Sequence, residues 1–114
     1  MIRIITSTIS LNELKDMAQL WHGELVKIVV DVERKIMAVD GGMHADEEQV
    51  LLEDGSRQEN LWGLNIYPSK DSEIRIEFDS MINVRPGQHN MSRSVEDEKI
   101  QKIIRSVVDQ MITN

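Results

Sequence analysis

The sequence predicts an α+β fold in which an antiparallel or mixed sheet is covered by helices on one face. Two patterns lead to this prediction: segments in which apolar and polar residues alternate, and segments in which apolar residues recur at every third or fourth position. They follow one another in the order β-α-β-β-α-β-β-α, which contains the succession of a ferredoxin-like split β-α-β unit with one added strand and helix. With 114 residues, we expect a single domain over residues 1–114.

The chain begins with a predicted strand and an amphipathic helix. Ile2 and Ile4 lie in a short alternating segment that is typical of a strand. Ser10 followed by Glu13 matches a capping box and predicts the start of the first helix, and Gly23 predicts its end. The buried stripe of this helix is predicted to consist of Leu11, Leu14, Met17, Ala18 and Trp21.

A hairpin and a second helix are predicted next. Residues 25–33 are rich in valine and isoleucine and alternate with polar residues, and residues 36–39 are their nearest partner along the chain. Residues 45–54 contain good helix formers with an acidic first turn, and Gly55 stands where a helix C-cap is expected. The residues predicted to anchor this helix are Met43, Val50 and Leu51.

Two further strands and a final helix complete the predicted order. Residues 61–67 and 73–85 read as strands joined by the turn-forming residues 68–72. The second of these strands is predicted to place Ile74, Ile76, Phe78, Ile82 and Val84 on one face. Ser94 is the expected cap of the final helix, which has acidic residues at its start. Its apolar stripe is formed by Ile100, Ile103, Ile104, Val107, Val108 and Met111.

The composition limits the classes of function. The chain has 13 lysines and arginines against 20 aspartates and glutamates, giving a formal net charge of −7, and only four aromatic residues are present. Both features disfavour nucleic acid as a partner. The absence of cysteine excludes disulfides, thiolate metal sites and cysteine nucleophiles. Because no segment resembles a membrane span or a secretory signal, we expect a soluble cytoplasmic protein without a membrane partner.

One polar stretch, residues 85–93, is a candidate ligand-binding loop. It contains two arginines, which suit a carboxylate or phosphate, and several neutral hydrogen-bonding groups. The candidate ligand-binding residues are Arg85, Gln88, His89, Asn90, Ser92 and Arg93. The alternative is a structural loop, in which Arg85 pairs with a neighbouring carboxylate and the side chains of Asn90 and Ser92 cap the backbone.

The other polar stretch, residues 41–48, offers possible metal ligands. His44 and Asp46, with Glu47 or Glu48, could bind a divalent metal if His89 came from the second stretch to complete the site. The alternative is that the acidic residues complement the helix dipole and His44 lies at the surface. Anion binding at this helix start is disfavoured, since three adjacent carboxylates would repel the anion. No other cofactor is expected.

These residues support two hypotheses of function. The favoured one is a binding or interaction module, not an enzyme, that holds a small polar or anionic ligand and forms a homo-oligomer. Self-association is expected through the second face of the sheet, where Leu25 and Val29 lie. The rival is a metal-dependent or acid/base hydrolase that uses His44, Asp46 and His89.

Four segments of the chain are distinctive as a set. They are GMHADEE at 42–48, LLEDGS at 51–56, LWGLNIYP at 61–68 and INVRP at 82–86. With these segments the chain resembles a family of small uncharacterised prokaryotic proteins that is known only as a domain of unknown function. The resemblance implies a prokaryotic cytoplasmic protein, and it assigns no catalytic residue.

Overall fold

A computed structural model describes residues 1–114 and confirms the predicted α+β class. The helices and strands are β1 (Arg3–Ile5), β2 (Ile9–Ser10), α1 (Leu11–Trp21), β3 (Val26–Asp31), β4 (Ile36–Val39), α2 (His44–Glu53), β5 (Leu61–Ile66), β6 (Ile76–Glu77), α3 (Glu98–Met111) and β7 (Ile112–Thr113). Three short 3₁₀ turns lie at Gln58–Asn60, Met81–Asn83 and Pro86–Gln88. None of the helices combines the length and the apolar character needed to cross a membrane.

The main sheet has five strands in the order β1-β4-β3-β5-β6, and every neighbouring pair is antiparallel. The central strand β3 pairs along its whole length with β5, from Val26 opposite Ile66 to Asp31 opposite Leu61. The remaining strands, β2 and β7, form a separate parallel pair that joins the start of α1 to the end of α3.

The strand order explains why the helices lie on both faces of the sheet. In the first crossover, α1 connects β1 to β3 with β4 between them, and in the second, α2 connects β4 to β5 with β3 between them. Both crossovers step across the sheet in the same direction, but their strands run in opposite directions. Because such connections share one hand, the two helices must cover opposite faces. Both split β-α-β units of a ferredoxin-like core are therefore present, but the second unit places β5 beside β3 and not beside β1.

Two hydrophobic clusters correspond to the two faces. The larger cluster has 18 buried residues and packs α1 and α3 against one face of the sheet. The smaller has five, with Leu51 of α2 packed among Val29, Ile36, Ala38 and Leu61. The prediction that all helices cover one face is therefore wrong. Val29 is fully buried beneath α2, so this face is not available to a second copy of the chain.

The segment predicted as one long strand, residues 73–85, folds differently. Only Ile76 and Glu77 pair with β5, and the chain then leaves the sheet through the 3₁₀ turn that Ser80 caps. Ile74 is 64% exposed, and Val84 is also exposed. The alternation of apolar residues is real, but its members do not share one buried face. Alternation alone could not distinguish this from a strand.

Several predicted helix details also need correction. Asp97, not Ser94, caps α3, and its side chain accepts a hydrogen bond from the Lys99 amide. Trp21 is half exposed at the end of α1, where its indole N–H donates to Asp40. The expected anchor Met43 is exposed, and the buried residues of α2 are His44, Glu47 and Leu51. The predicted caps Ser10 and Gly55 are confirmed.

Candidate functional site

A small cavity lies where the start of α2 meets the segment that follows β6. Its volume is about 150 Å³, and we call it the Lys27 cavity. Its polar lining comes from the side chains of Lys27, His44, Ser80 and Arg93. His44 and Arg93 belong to the two different polar stretches of the sequence, so the fold brings part of each stretch to one place.

His44 is the first residue of α2 and is almost completely buried. Its Nε2 lies 2.8 Å from the carbonyl oxygen of Leu64, so Nε2 carries the proton and donates it to that oxygen. Burial lowers the pKa of His44 to about 4, and the nearby Lys27 adds to this lowering. His44 is therefore neutral at pH 7, and Nδ1 is an unprotonated acceptor without a protein partner.

Two cations lie at the cavity. Lys27 projects from β3 and is half-buried, and its ammonium group takes part in none of the ion pairs of the molecule. Arg93 donates through Nε to Oδ1 of Asp79 at 2.6 Å, which leaves the two terminal nitrogens of the guanidinium without a carboxylate partner. The cavity is thus locally cationic in a protein of net charge −7.

Ser80 closes the inner end of the cavity against β5. It is almost completely buried, and its hydroxyl oxygen accepts a hydrogen bond from the amide of Ile82. It packs directly on Gly63, where a Cβ atom would lie 2.5 Å from the Ser80 hydroxyl oxygen. Gly63 is needed because the segment after β6 approaches the β5 backbone so closely.

The predicted ligand loop uses most of its polar side chains within the fold. Arg85 donates to the carbonyl oxygens of Gln58 and Leu61, and its guanidinium lies 4.1 Å from the centre of the Trp62 ring. Gln88 donates to the carbonyl of Glu59, and the side chain of Asn90 donates to three backbone carbonyls.

The remaining residues of that loop differ in their placement. The Ser92 hydroxyl accepts from the amide of Ser94, and His89 is exposed in a left-handed conformation (φ 60°) after a 3₁₀ turn. The structural alternative therefore describes Asn90 and Ser92 well, whereas Arg85 binds backbone carbonyls and not the neighbouring carboxylate that this alternative expected. Of the six candidate residues, Arg93 alone lines the Lys27 cavity.

The residues considered for a metal site do not form a metal-binding cluster in the structure. The structure contains no group of three or more histidine, aspartate or glutamate side chains that could hold a metal ion. His44 binds Leu64 from a buried position, Asp46 is exposed, and His89 is exposed in the second loop. The alternative to a metal site placed His44 at the surface, and this is wrong because His44 is buried.

The three acidic residues at the start of α2 point to different surroundings. Glu47 is fully buried, and Oε2 accepts a hydrogen bond from the Gly41 amide at 3.0 Å. Burial raises its pKa to about 9, so it is protonated at pH 7. Glu48 lies beside Gln58 and Arg85, and burial raises its pKa as well. Three charged carboxylates therefore do not meet an anion in this region, because Glu47 is protonated and only Asp46 is exposed.

Sequence reasoning missed Lys27, and it did not foresee that Ser80 and Glu47 are buried. The sequence contains a signal for each of these residues. Lys27 is the lone cation within a run of valine and isoleucine. For Ser80 the signal is Gly63, because a glycine within a strand indicates that another segment packs closely against it. Gly41 provides the signal for Glu47, since a Cβ atom there would lie 2.8 Å from Cγ of the buried glutamate.

Comparison with known proteins gives a family and no named activity. No curated protein and no solved structure matches the chain. A family model described as "Protein of unknown function (DUF5674)" matches residues 3–111, which is nearly the whole chain. The expected resemblance to a domain of unknown function is thereby confirmed, and the chain belongs to the DUF5674 family.

Proposed function

We propose that this protein is a small binding module that holds a small anion in the Lys27 cavity. The observation that carries this proposal is the presence of an unpaired, half-buried lysine in a cavity of an otherwise acidic protein. A lysine in this position loses part of its hydration without gaining an ion-pair partner, and an anionic ligand would supply that partner.

Arg93 supports the same proposal with a second donor set. Asp79 occupies Nε and fixes the orientation of the guanidinium, while the terminal nitrogens stay available to a ligand oxygen. An arginine held by one carboxylate loses less side-chain entropy when it binds another group. Arg93 also belongs to the set of ligand-binding residues that the sequence singled out.

His44 gives the site selectivity for the protonation state of its ligand. As a neutral imidazole that donates Nε2–H to Leu64, it adds no charge, and Nδ1 can only accept a hydrogen bond. A role in the prokaryotic cytoplasm forms part of this proposal, supported by the resemblance of the chain to a family of prokaryotic proteins.

An NMR titration of the ¹⁵N-labelled protein tests the proposal. Inorganic phosphate, acetate and isovalerate are added separately, and the amide signals of Lys27, His44 and Ser80 are followed. We expect saturable shifts at these residues for at least one anion, and an affinity reduced about tenfold or more in Lys27→Met, since a charge-assisted hydrogen bond is lost.

Lys102→Met is the matched control. Lys102 lines a different cavity of about 290 Å³ together with Lys35, and that cavity is the obvious competitor for an anion. Binding that survives in Lys102→Met and is lost in Lys27→Met supports the proposal. Equal losses in both variants, or the absence of saturable shifts with every anion, would overturn it.

A further inference from the structure

We infer that the anion held in the Lys27 cavity is a carboxylate that carries a short aliphatic group. This inference rests on the proposed function and names the chemical class of its ligand. It is drawn from the apolar half of the cavity lining, from the number of unpaired cations and from the volume of the cavity.

The apolar half of the lining consists of Met43, Ala45, Met81 and Ile82. Met43 is 60% exposed and Met81 is 65% exposed, so both present apolar surface to solvent at the cavity. Methionine side chains are flexible and polarisable, and they adapt their shape to an aliphatic partner. The two methionines, from α2's N-cap position and from the 3₁₀ turn after β6, therefore provide apolar contacts beside the cationic groups.

The charge at the cavity matches a single negative charge. Of the two cations that line the cavity, Lys27 has no carboxylate partner, whereas Arg93 is paired with Asp79 at 2.6 Å. His44 contributes no positive charge at neutral pH. Asp46, exposed in the first turn of α2, adds negative charge nearby. A doubly charged phosphate would leave part of its charge unpaired, whereas a carboxylate would be neutralised.

The volume of the cavity fits a ligand of this size. The cavity measures about 150 Å³. A carboxylate with a branched chain of three or four carbons has this bulk, whereas acetate would leave the apolar half of the lining without a partner.

The test uses protein labelled with ¹³C in the methionine methyl groups, titrated with isovalerate, acetate, inorganic phosphate and the uncharged isovaleramide. We expect isovalerate to bind at least about tenfold more tightly than acetate, because each buried CH₂ raises the affinity about fourfold. We expect it also to exceed phosphate and isovaleramide. The methyl signals of Met43 and Met81 should shift, whereas that of Met91, which is 66% exposed elsewhere on the surface, should not.

Single substitutions then test the apolar contacts. Met81→Ser should weaken isovalerate binding about fivefold and acetate binding much less, since the substitution removes apolar contact and no charge. Met91→Ser is the matched control and should leave both affinities as they are. A fall in isovalerate affinity that is equal in the two variants would contradict the inference.

The outcomes separate this inference from the proposed function. If phosphate or acetate binds as tightly as isovalerate and loses affinity in Lys27→Met, the anion site stands and the aliphatic carboxylate is wrong. If no anion binds, both fail. The peptide Ala-Ala-Val distinguishes a peptide C-terminus from a free acid as the source of the carboxylate: tighter binding than isovalerate identifies the former, and weaker binding the latter.

Discussion

Asn83 holds the outer edge of β5 where a neighbouring strand is missing. β6 pairs with β5 only at Asn65 and Ile66, so on the edge that faces away from β3 the backbone of Gly63 has no strand beside it. The Asn83 side chain replaces that strand: its oxygen accepts from the Gly63 amide at 2.8 Å, and its nitrogen donates to the Gly63 carbonyl at 2.9 Å. The same nitrogen donates to the carbonyl of Arg93 at 3.0 Å, which ties the cavity-lining arginine to the sheet.

Substitution of Asn83 should therefore be costly. Asn83→Ala leaves buried backbone groups without partners, and we expect a loss of about 2–4 kcal/mol in the free energy of unfolding. Urea denaturation followed by tryptophan fluorescence measures this loss. Asn12→Ala, at an exposed position of α1, is the control and should change the free energy of unfolding by less than about 0.5 kcal/mol. Equal stability of the two variants would show that the amide of Asn83 does not support β5.

At this scale the sequence predicts which residues are polar and clustered but not what they bind. Asn83 and Asn90 both satisfy backbone groups that are distant or irregular, such as Gly63 and Ser94. The partners of these amides depend on the path of the chain between them, which has no periodic signature. The same limit applies to Arg93 and Lys27, since only the folded sheet brings them to one cavity.

The elements themselves could largely be predicted. β4 agrees with its predicted bounds, α1 starts at its predicted cap, and the bounds of α2 and β5 differ from prediction by one residue. These elements have strong periodicity and local end signals that act within a few residues. The face that α2 covers was not predictable in the same way, because it depends on whether β5 lies beside β1 or β3. That choice involves long-range pairing and leaves no local pattern.

The 3₁₀ turn after β6 can pack on β5 only because Gly63 has no side chain. The 3₁₀ turn at Met81–Asn83 and its cap Ser80 lie directly on β5 at this glycine. Gly63→Ala should push the turn away from β5, lower the free energy of unfolding by about 1–3 kcal/mol and weaken anion binding in the Lys27 cavity. Thermal unfolding and the NMR titration provide the two readings.

Gly87→Ala serves as the control for Gly63→Ala. A Cβ atom at Gly87 would have no heavy atom within 4 Å, so this substitution should leave both stability and binding unchanged. If Gly63→Ala folds with the same stability and binds equally well, the turn has room to move, and the close packing of Ser80 on β5 is not what shapes the cavity.

For the whole molecule, two buried titratable groups on α2 determine how stability depends on pH. Glu47 has its pKa raised from 4.5 to about 9 by burial, with Lys27 opposing and Asp40 and Asp46 adding to the increase. The unfolded chain releases this proton near pH 4.5, so the contribution of Glu47 to stability falls as pH rises from 4.5 to 9. His44 has its pKa lowered from 6.5 to about 4, so its contribution rises with pH between 4 and 6.5.

The two effects oppose each other between pH 4.5 and 6.5, and only the Glu47 effect continues above pH 6.5. We therefore expect a nearly constant free energy of unfolding from pH 4.5 to 6.5, followed by a decline toward pH 9 of up to about 1.4 kcal/mol per pH unit. Urea denaturation at intervals across this range measures the profile. An acidic protein would also lose some stability through charge repulsion as pH rises, so the decline by itself does not identify its cause.

Glu47→Gln separates the buried carboxyl from the general repulsion. Glutamine cannot ionise, so the decline above pH 6.5 should largely disappear, and the stability of the variant relative to the original protein should increase steadily with pH. Glu73→Gln removes an exposed carboxylate and controls for the loss of one negative charge, so it should keep the decline. Parallel profiles for all three proteins would mean that Glu47 reaches solvent easily and that the interior beneath α2 tolerates its charge. A decline confined to the proteins that retain Glu47 would instead show that ionisation of this one carboxyl group limits the stability of the fold at alkaline pH. Glu47 accepts a hydrogen bond from the Gly41 amide and belongs to α2, the helix that also supplies His44 to the cavity.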